Sequence, residues 1–126
     1  MKNIDVSILD IENSERKLPF EQIYLIKCGV RDCALIDIPT NIYSKFENDL
    51  NEYMNQFMIK SYIYYWNNYI SFFLYKRDFQ LELFKECFLT YFENDTLLER
   101  SLKDQYILGK LLGYSEESMD EYFSKL

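Results

Sequence analysis

The chemistry open to this chain is narrowed by the absence of histidine from its 126 residues. Histidine is the commonest general base and a frequent metal ligand, so both roles would fall to other side chains. The cysteines Cys28, Cys33 and Cys87 therefore lack the partner that usually activates a thiol nucleophile. Cys28 and Cys33 could face each other across a hairpin, but one thiol would remain, and no Cys-x-x-Cys spacing occurs. Reduced thiols of a cytosolic protein are the simpler prediction.

Carboxylates are the remaining catalytic candidates. Asp78, Glu82 and Glu86 recur every four residues on one side of an expected helix, and a second acidic group lies near the C-terminus: Glu116, Glu117, Asp120 and Glu121. Such clusters hold a hard cation weakly, but neither resembles an EF-hand loop, and a solvated helix face accounts for both. With only three glycines, the chain also has no glycine-rich phosphate loop. We predict no metal, no cofactor and no need for an enzymatic activity.

The most distinctive stretch is residues 58–77, MIKSYIYYWNNYISFFLYKR, which is densely aromatic. Aromatic and β-branched residues favour strands, and asparagine tolerates positive φ, so Asn67-Asn68 predicts a two-residue hairpin turn. That turn pairs Trp66 with Tyr69, and residues 65, 64 and 63 with residues 70, 71 and 72. Helical structure at residues 58–66 is the alternative and would remove this pairing.

The predicted pairing gives the hairpin two different faces, because paired residues share a side. A core face carries mainly aliphatic and ring side chains: Ile59, Ile63, Tyr65, Ile70, Phe72 and Leu74. A tyrosine face carries hydroxyls and one indole: Tyr62, Tyr64, Trp66, Tyr69, Ser71, Phe73 and Tyr75. Either C-terminal helices cover the tyrosine face, or part of it stays open to a partner, since Tyr and Trp are enriched at binding hot spots. The predicted partner-binding residues are Tyr62, Tyr64, Trp66, Tyr69, Phe73 and Tyr75.

The remaining chain predicts an α+β fold in the order β, ββ, α, ββ, ααα, about five strands and a C-terminal group of three helices, in a single domain of residues 1–126. Alternation predicts a strand at residues 4–8, a polar loop follows at 12–19, and apolar runs at 21–27 and 33–38 predict a hairpin. Thr40 is expected to cap a four-turn helix. Later helices are expected to begin at Asp78, at a Thr96-x-x-Glu99 capping box and at Ser115, with a stop at Gly113.

Charge limits the partners. The net charge is −7, and residues 57–92 are nearly neutral between two acidic flanks. A nucleic-acid platform would have to rely on Lys60, Lys76, Arg77 and Lys85, too few bases for a phosphate-binding surface. The turn-like segment of residues 109–118 precedes an acidic helix, which disfavours a DNA reader. Without a signal peptide or an apolar run of about 20 residues, a cytoplasmic protein with no membrane contact is expected.

The functional prediction is a non-enzymatic, cytosolic protein-binding module that acts through the aromatic face and its acidic flanks. Its partner is expected to present a basic surface, because complementary charge accelerates association. Richness in Asn, Ile, Tyr, Phe and Lys is typical of AT-rich bacterial or phage coding, where small acidic proteins are often inhibitors, immunity proteins or counter-defence factors. Two alternatives stay open: a small-molecule-binding or enzymatic domain whose aromatic face lines a pocket, and a homo-oligomer formed through the same patch.

Overall fold

The structure, a computed structural model, describes residues 14–125, and the side chains of residues 19–125. The chain divides into two compact units, Met1–Lys76 and Arg77–Leu126. The strand predicted at residues 4–8 lies outside the described residues and stays a prediction. The prediction of a single domain likewise stays a prediction.

Each unit has its own set of elements. The N-terminal unit contains α1 (Ser14–Lys27), β1 (Ala34–Pro39), α2 (Thr40–Tyr43), α3 (Glu47–Gln56), β2 (Lys60–Trp66) and β3 (Tyr69–Tyr75). The C-terminal unit contains α4 (Asp78–Phe84), a π-helical turn (Lys85–Leu89), α5 (Thr90–Glu93), a 3-10 turn (Leu97–Glu99), α6 (Leu102–Leu111) and α7 (Glu116–Ser124). The mixed α+β class is therefore confirmed, and residues 14–125 contain three strands where four of the five predicted strands would lie.

Helix α1 replaces two predicted elements, the loop over residues 14–19 and the strand at residues 21–27, and both predictions were wrong there. An apolar run such as residues 23–26 suits a strand or a buried helix equally well. The residues that α1 buries, Phe20, Ile23 and Ile26, are three apart, which is the spacing of one helix face. Gly29, at φ 78°, ends the helix, and the amides of Gly29 and Val30 donate to carbonyls of its last turn.

The sheet is antiparallel in the order β1-β3-β2, so the last strand is central. In β1, Ile36 lies opposite Phe72 and Asp37 lies opposite Ser71. Four residues of the predicted core face, Ile59, Ile70, Phe72 and Leu74, pack with residues of β1 and of the helices α1 to α3 in one buried cluster. The other two, Ile63 and Tyr65, are exposed, so the prediction was wrong for them. Phe20 of α1 illustrates this packing, because its ring lies 6.0 Å from Phe46 and 5.4 Å from Tyr53. This cluster is the hydrophobic core of the N-terminal unit.

The hairpin prediction was correct in its register: Trp66 lies opposite Tyr69, and the three pairs that follow agree as well. Asn67 adopts φ 49°, the left-handed conformation that a two-residue turn requires and that asparagine tolerates. The helix predicted from Thr40 is interrupted by a turn at residues 44–46 and continues as α3. Pro39 occupies the N-cap position of α2, so Thr40 is the first helical residue and makes no capping bond.

The C-terminal unit is entirely helical over the part that the structure describes. The predicted break at Asn94-Asp95 is present, but the predicted capping box is not: Thr96 precedes a 3-10 turn, and Ser101 caps α6 by accepting a bond from the amide of Asp104. The cap expected at Asp78 is likewise taken by Arg77.

The end of α6 and the start of α7 follow the sequence prediction. Gly113, at φ 84°, ends α6 in a paired-bond cap in which the Tyr114 amide donates to Gly109 and the Gly113 amide to Lys110. Ser115 then caps α7 by accepting a bond from the Ser118 amide, as predicted.

Candidate functional site

The tyrosine face spans all three strands of the sheet. The pairing with β1 places Asp37 beside Ser71 and Pro39 beside Tyr69, while β2 places Tyr64 and Trp66 on the other side of the same residues. Rows of three residues, one from each strand, therefore cross the face. The middle row is Asp37, Ser71 and Tyr64, and it brings a carboxylate into a surface that is otherwise aromatic.

Exposure changes along this face. Phe73 and Tyr75 are buried, Tyr62, Tyr64 and Trp66 are half-buried, and Tyr69 is 38% exposed. The end of the face near the hairpin turn therefore offers side chains to solvent, whereas the end at Phe73 and Tyr75 does not. All six predicted site residues lie on one face, but Phe73 and Tyr75 are placed as packing residues.

A hydrogen-bonded network lies at the centre of the face. The indole Nε1 of Trp66 donates to Ser71 Oγ at 2.5 Å, and Ser71 Oγ donates to Asp37 Oδ1 at 2.5 Å. Ser71 is fully buried, and its side chain also interacts with the phenol of Tyr64. A hydroxyl offers one donor and two acceptor lone pairs, so Ser71 can accept a bond from the indole while it donates one to the carboxylate. Ser71 thereby links the Trp66 indole to the Asp37 carboxylate.

Asp37 is the member of this network that faces solvent. Its Oδ1 accepts the hydrogen bond from the Ser71 hydroxyl. Tyr69 lies diagonally across the strand pair from Asp37, at a separation that an aromatic side chain can span. Its ring stacks on that of Trp66, with centroids 5.1 Å apart. An exposed carboxylate next to electron-rich ring faces is suited to binding a cation, such as a guanidinium or an ammonium group.

The sequence interpretation missed Asp37 and did not select Ser71, although it placed Ser71 on the correct face. The signal was present in β1, whose sequence ALIDIP sets one acid inside an apolar strand. A charged residue at that position indicates which face of the strand points away from the core. Recognising its neighbours required the pairing of β1 with β3, which joins residues 34 positions apart.

The stability of the protein at alkaline pH tests the partial burial of Tyr64. Burial raises the pKa of Tyr64 to about 12; the negative charge of Asp37 adds to the rise, and the bond with Ser71 opposes it. The unfolded phenol ionises near pH 10, so the folded state holds its proton longer, and stability should fall as the pH rises from 10 to 12. We expect the Tyr64→Phe variant to lose stability less steeply over that range than the wild type. Urea midpoints measured at a series of pH values test this, and equal slopes would contradict it.

The cysteines are the other side chains that could take part in chemistry. The three cysteines are free, with Cys28 exposed and the other two buried. Burial raises the pKa of Cys33 to about 12 and, together with the charge of Asp104, that of Cys87 to about 11. Neither thiol is therefore a ready nucleophile at neutral pH. Within residues 14–125, no group of three or more acidic or cysteine side chains is arranged to hold a metal ion.

Thiol labelling of the native protein checks this placement. We expect one thiol to react rapidly, because Cys28 is exposed, and two to react only on unfolding, because Cys33 and Cys87 are buried. In the Cys28→Ser variant, the fast phase should disappear and the slow phases should remain. A second fast thiol in the native wild type would show that one of the buried sites opens.

The C-terminal unit contains an open groove of about 430 Å³. It lies along α6 and α7 and is lined by Arg100, Gln105, Leu108, Gly109, Leu112, Tyr114, Ser118, Met119, Tyr122 and Phe123. Gly109 permits close packing there, because a Cβ at that position would lie 2.5 Å from the sulfur of Met119. No residue of the tyrosine face lines this groove, so it does not correspond to the pocket that the small-molecule alternative placed on the aromatic face.

Comparisons with known proteins do not assign this chain to a family. No family model matches the chain, and no curated protein or solved structure shows significant similarity to it. None of the helices in the described part of the chain has both the length and the apolar character needed to cross a bilayer. Function must therefore be argued from the side chains.

Proposed function

We propose that this protein is a non-enzymatic protein-binding module whose tyrosine face binds a partner with a basic surface. The observation that carries this proposal is the exposed Asp37 carboxylate, fixed by the buried Ser71 and set beside Tyr69 on an aromatic surface. A lysine or arginine of the partner would pair with Asp37 and pack against the neighbouring rings. Aromatic side chains around the contact would supply apolar burial at low cost in conformational entropy.

Long-range charge supports the same kind of partner. The chain carries a net charge of −7, which attracts a basic surface and accelerates encounter. Acidic proteins that neutralise a basic toxin or nuclease use this attraction. The inhibitor, immunity or counter-defence role that the composition favours would use it in the same way. The tyrosine face would then determine which partner binds, and the overall charge would determine how fast the two proteins meet.

The only tryptophan of the chain lies within the proposed site, so its fluorescence reports on the tyrosine face alone. We expect a short oligo-arginine peptide to change Trp66 emission in a saturable way, whereas an oligo-glutamate peptide should not. The Asp37→Asn variant should bind the arginine peptide at least about tenfold more weakly, as expected when a charge-assisted pair is removed.

Asp32→Asn is the matched control, because Asp32 is exposed and its loss changes the net charge by the same amount. This control should weaken binding only slightly, through the general field. Equal weakening by the two substitutions would mean that the peptide follows net charge and not the tyrosine face, and the proposed site would be wrong.

A further inference from the structure

The two edges of the sheet differ in how they are protected against further strand pairing. Natural sheets guard their edges with charges, proline, bulges or covering elements. The outer strand β1 carries such guards, because Asp37 and Pro39 lie within its six residues. The outer strand β2, KSYIYYW, has no proline and no acid, and its only charge is Lys60 at one end. Its pairing with β3 runs through all seven residues without a bulge.

The side chains of β2 are also open to solvent on both faces of the sheet. Every residue of the strand is half-buried or exposed, whereas six of the seven residues of β3 are buried. On the core-face side, Ile63 is 38% exposed and Tyr65 is 70% exposed. Large apolar side chains along an edge strand that has no proline, acid or bulge are the pattern that predicts association through strand addition.

The hairpin fixes which backbone groups point outward. The residues that flank a two-residue turn exchange hydrogen bonds with each other, and in an antiparallel pair the bonded residues then alternate. In β2, residues 66, 64, 62 and 60 therefore bond to β3. The amides and carbonyls of Ser61, Ile63 and Tyr65 point away from β3, toward an edge that no other strand among residues 14–125 occupies. Ile59 adds nothing to this edge, because its amide already donates to the carbonyl of Met54 at 3.0 Å.

We propose that this edge binds the β2 strand of a second copy of the chain, antiparallel and across a two-fold axis at Ile63. Centring the pair on Ile63 matches each outward residue with another: Ile63 with its own symmetry mate, and Ser61 with Tyr65 of the other copy. Shifting the centre by one residue in either direction would instead require Ile59, whose amide is engaged, or Asn67 of the turn. The Ile63 register is the one that satisfies all three outward residues.

The side chains suit the same register. Lys60, the only charged residue of the strand, lies opposite Trp66 of the second copy. A lysine over an indole ring is a favourable contact, and this register avoids placing two lysines opposite each other. Tyr62 lies opposite Tyr64 of the other copy. This self-complementarity is why a second copy is the inferred occupant. The resulting six-stranded sheet would place two tyrosine faces side by side, but the inference does not rest on the proposed function.

Substitutions at residue 63 test the proposal most directly, because Ile63 of one copy lies opposite Ile63 of the other at the two-fold axis. In the wild type, sedimentation equilibrium should show a monomer–dimer equilibrium, strengthened by salt because each copy carries a net charge of −7. Ile63→Lys and Ile63→Glu should each dimerise at least about tenfold more weakly, since like charges would lie directly opposite. An equimolar mixture of the two variants should regain dimers. Val30→Lys, which changes an exposed loop residue, should dimerise like the wild type.

Hydrogen exchange provides a second reading that does not depend on a variant. In the wild type, the amides of Ser61, Ile63 and Tyr65 should become protected as the protein concentration rises. The amides of the alternate residues 62, 64 and 66 should be protected throughout. If the position-63 variants fail to fold, these amide exchange rates of the wild type test the proposal without them.

Three results would overturn the proposal. The first is a wild type that stays monomeric at all concentrations, and the second is a dimer in which these three amides exchange freely. The third is protection that does not change with concentration, which would mean that the edge is covered within one chain.

Discussion

Replacing Phe72 by alanine is expected to lower the free energy of unfolding by about 3–5 kcal/mol, the usual cost of removing a buried phenylalanine. Phe72 is fully buried at the middle of the central strand, between Ile36 of β1 and Ile63 of β2. Its ring also lies 5.2 Å from that of Tyr43, so the cavity would be lined by both the sheet and a helix. A loss of this size is a large part of the stability of an ordinary domain.

Chemical denaturation followed by circular dichroism measures this loss. The matched control is Phe79→Ala, because Phe79 is the same residue type but is 56% exposed. The control should change the unfolding free energy by less than about 0.5 kcal/mol, as surface substitutions usually do. If both variants lost the same amount, the core face would not be the centre of the N-terminal unit.

Replacing Ser71 by alanine is the second substitution with a large expected effect, about 1–3 kcal/mol of unfolding free energy. The change leaves the Trp66 indole without the acceptor it uses and Asp37 without its donor. Because Ser71 is fully buried, water does not readily replace these bonds. The Ser44→Ala variant is the control, since the Ser44 hydroxyl also donates a hydrogen bond but is exposed.

A double-mutant cycle separates the network from the loss of the hydroxyl itself. In a Trp66→Phe background there is no indole donor that could lose its acceptor. Ser71→Ala should therefore lower the unfolding free energy less than it does in the wild type. Binding of the oligo-arginine peptide should also weaken in Ser71→Ala, because Asp37 is no longer held. Equal costs in the two backgrounds would show that Trp66 and Ser71 do not act together.

The features that sequence predicted well are those encoded within a few neighbouring residues. The hairpin register followed from the two-residue turn at Asn67-Asn68, and the helix end at Gly113 followed from the need for positive φ. The errors arose where a local pattern fits two structures. The run at residues 23–26 suits a helix or a strand, and both Thr96 and Ser101 have the chemistry of a helix cap.

The candidate site was predictable only in part for a different reason. Its aromatic residues lie in one hairpin, so their shared face could be read from the sequence. Asp37 joins them through the pairing of β1 with β3, which depends on tertiary packing and not on local propensity. The exposure that separates Tyr69 from Phe73 likewise depends on what packs around the hairpin. Sequence therefore identified the face, while its chemistry depended on a residue supplied by a distant strand.

The most direct test of the tyrosine face is a comparison of two tyrosines that are equally exposed. Tyr69 on the tyrosine face is 38% exposed, and Tyr24 on α1 is 36% exposed, so the removal of either should disturb the fold to a similar, small extent. Wild type, Tyr69→Ala and Tyr24→Ala would be used in parallel affinity captures from extracts of the source cells, with quantitative mass spectrometry. We expect the wild type and Tyr24→Ala to retain a basic partner and Tyr69→Ala to lose it. Retention of the same proteins by all three would contradict it.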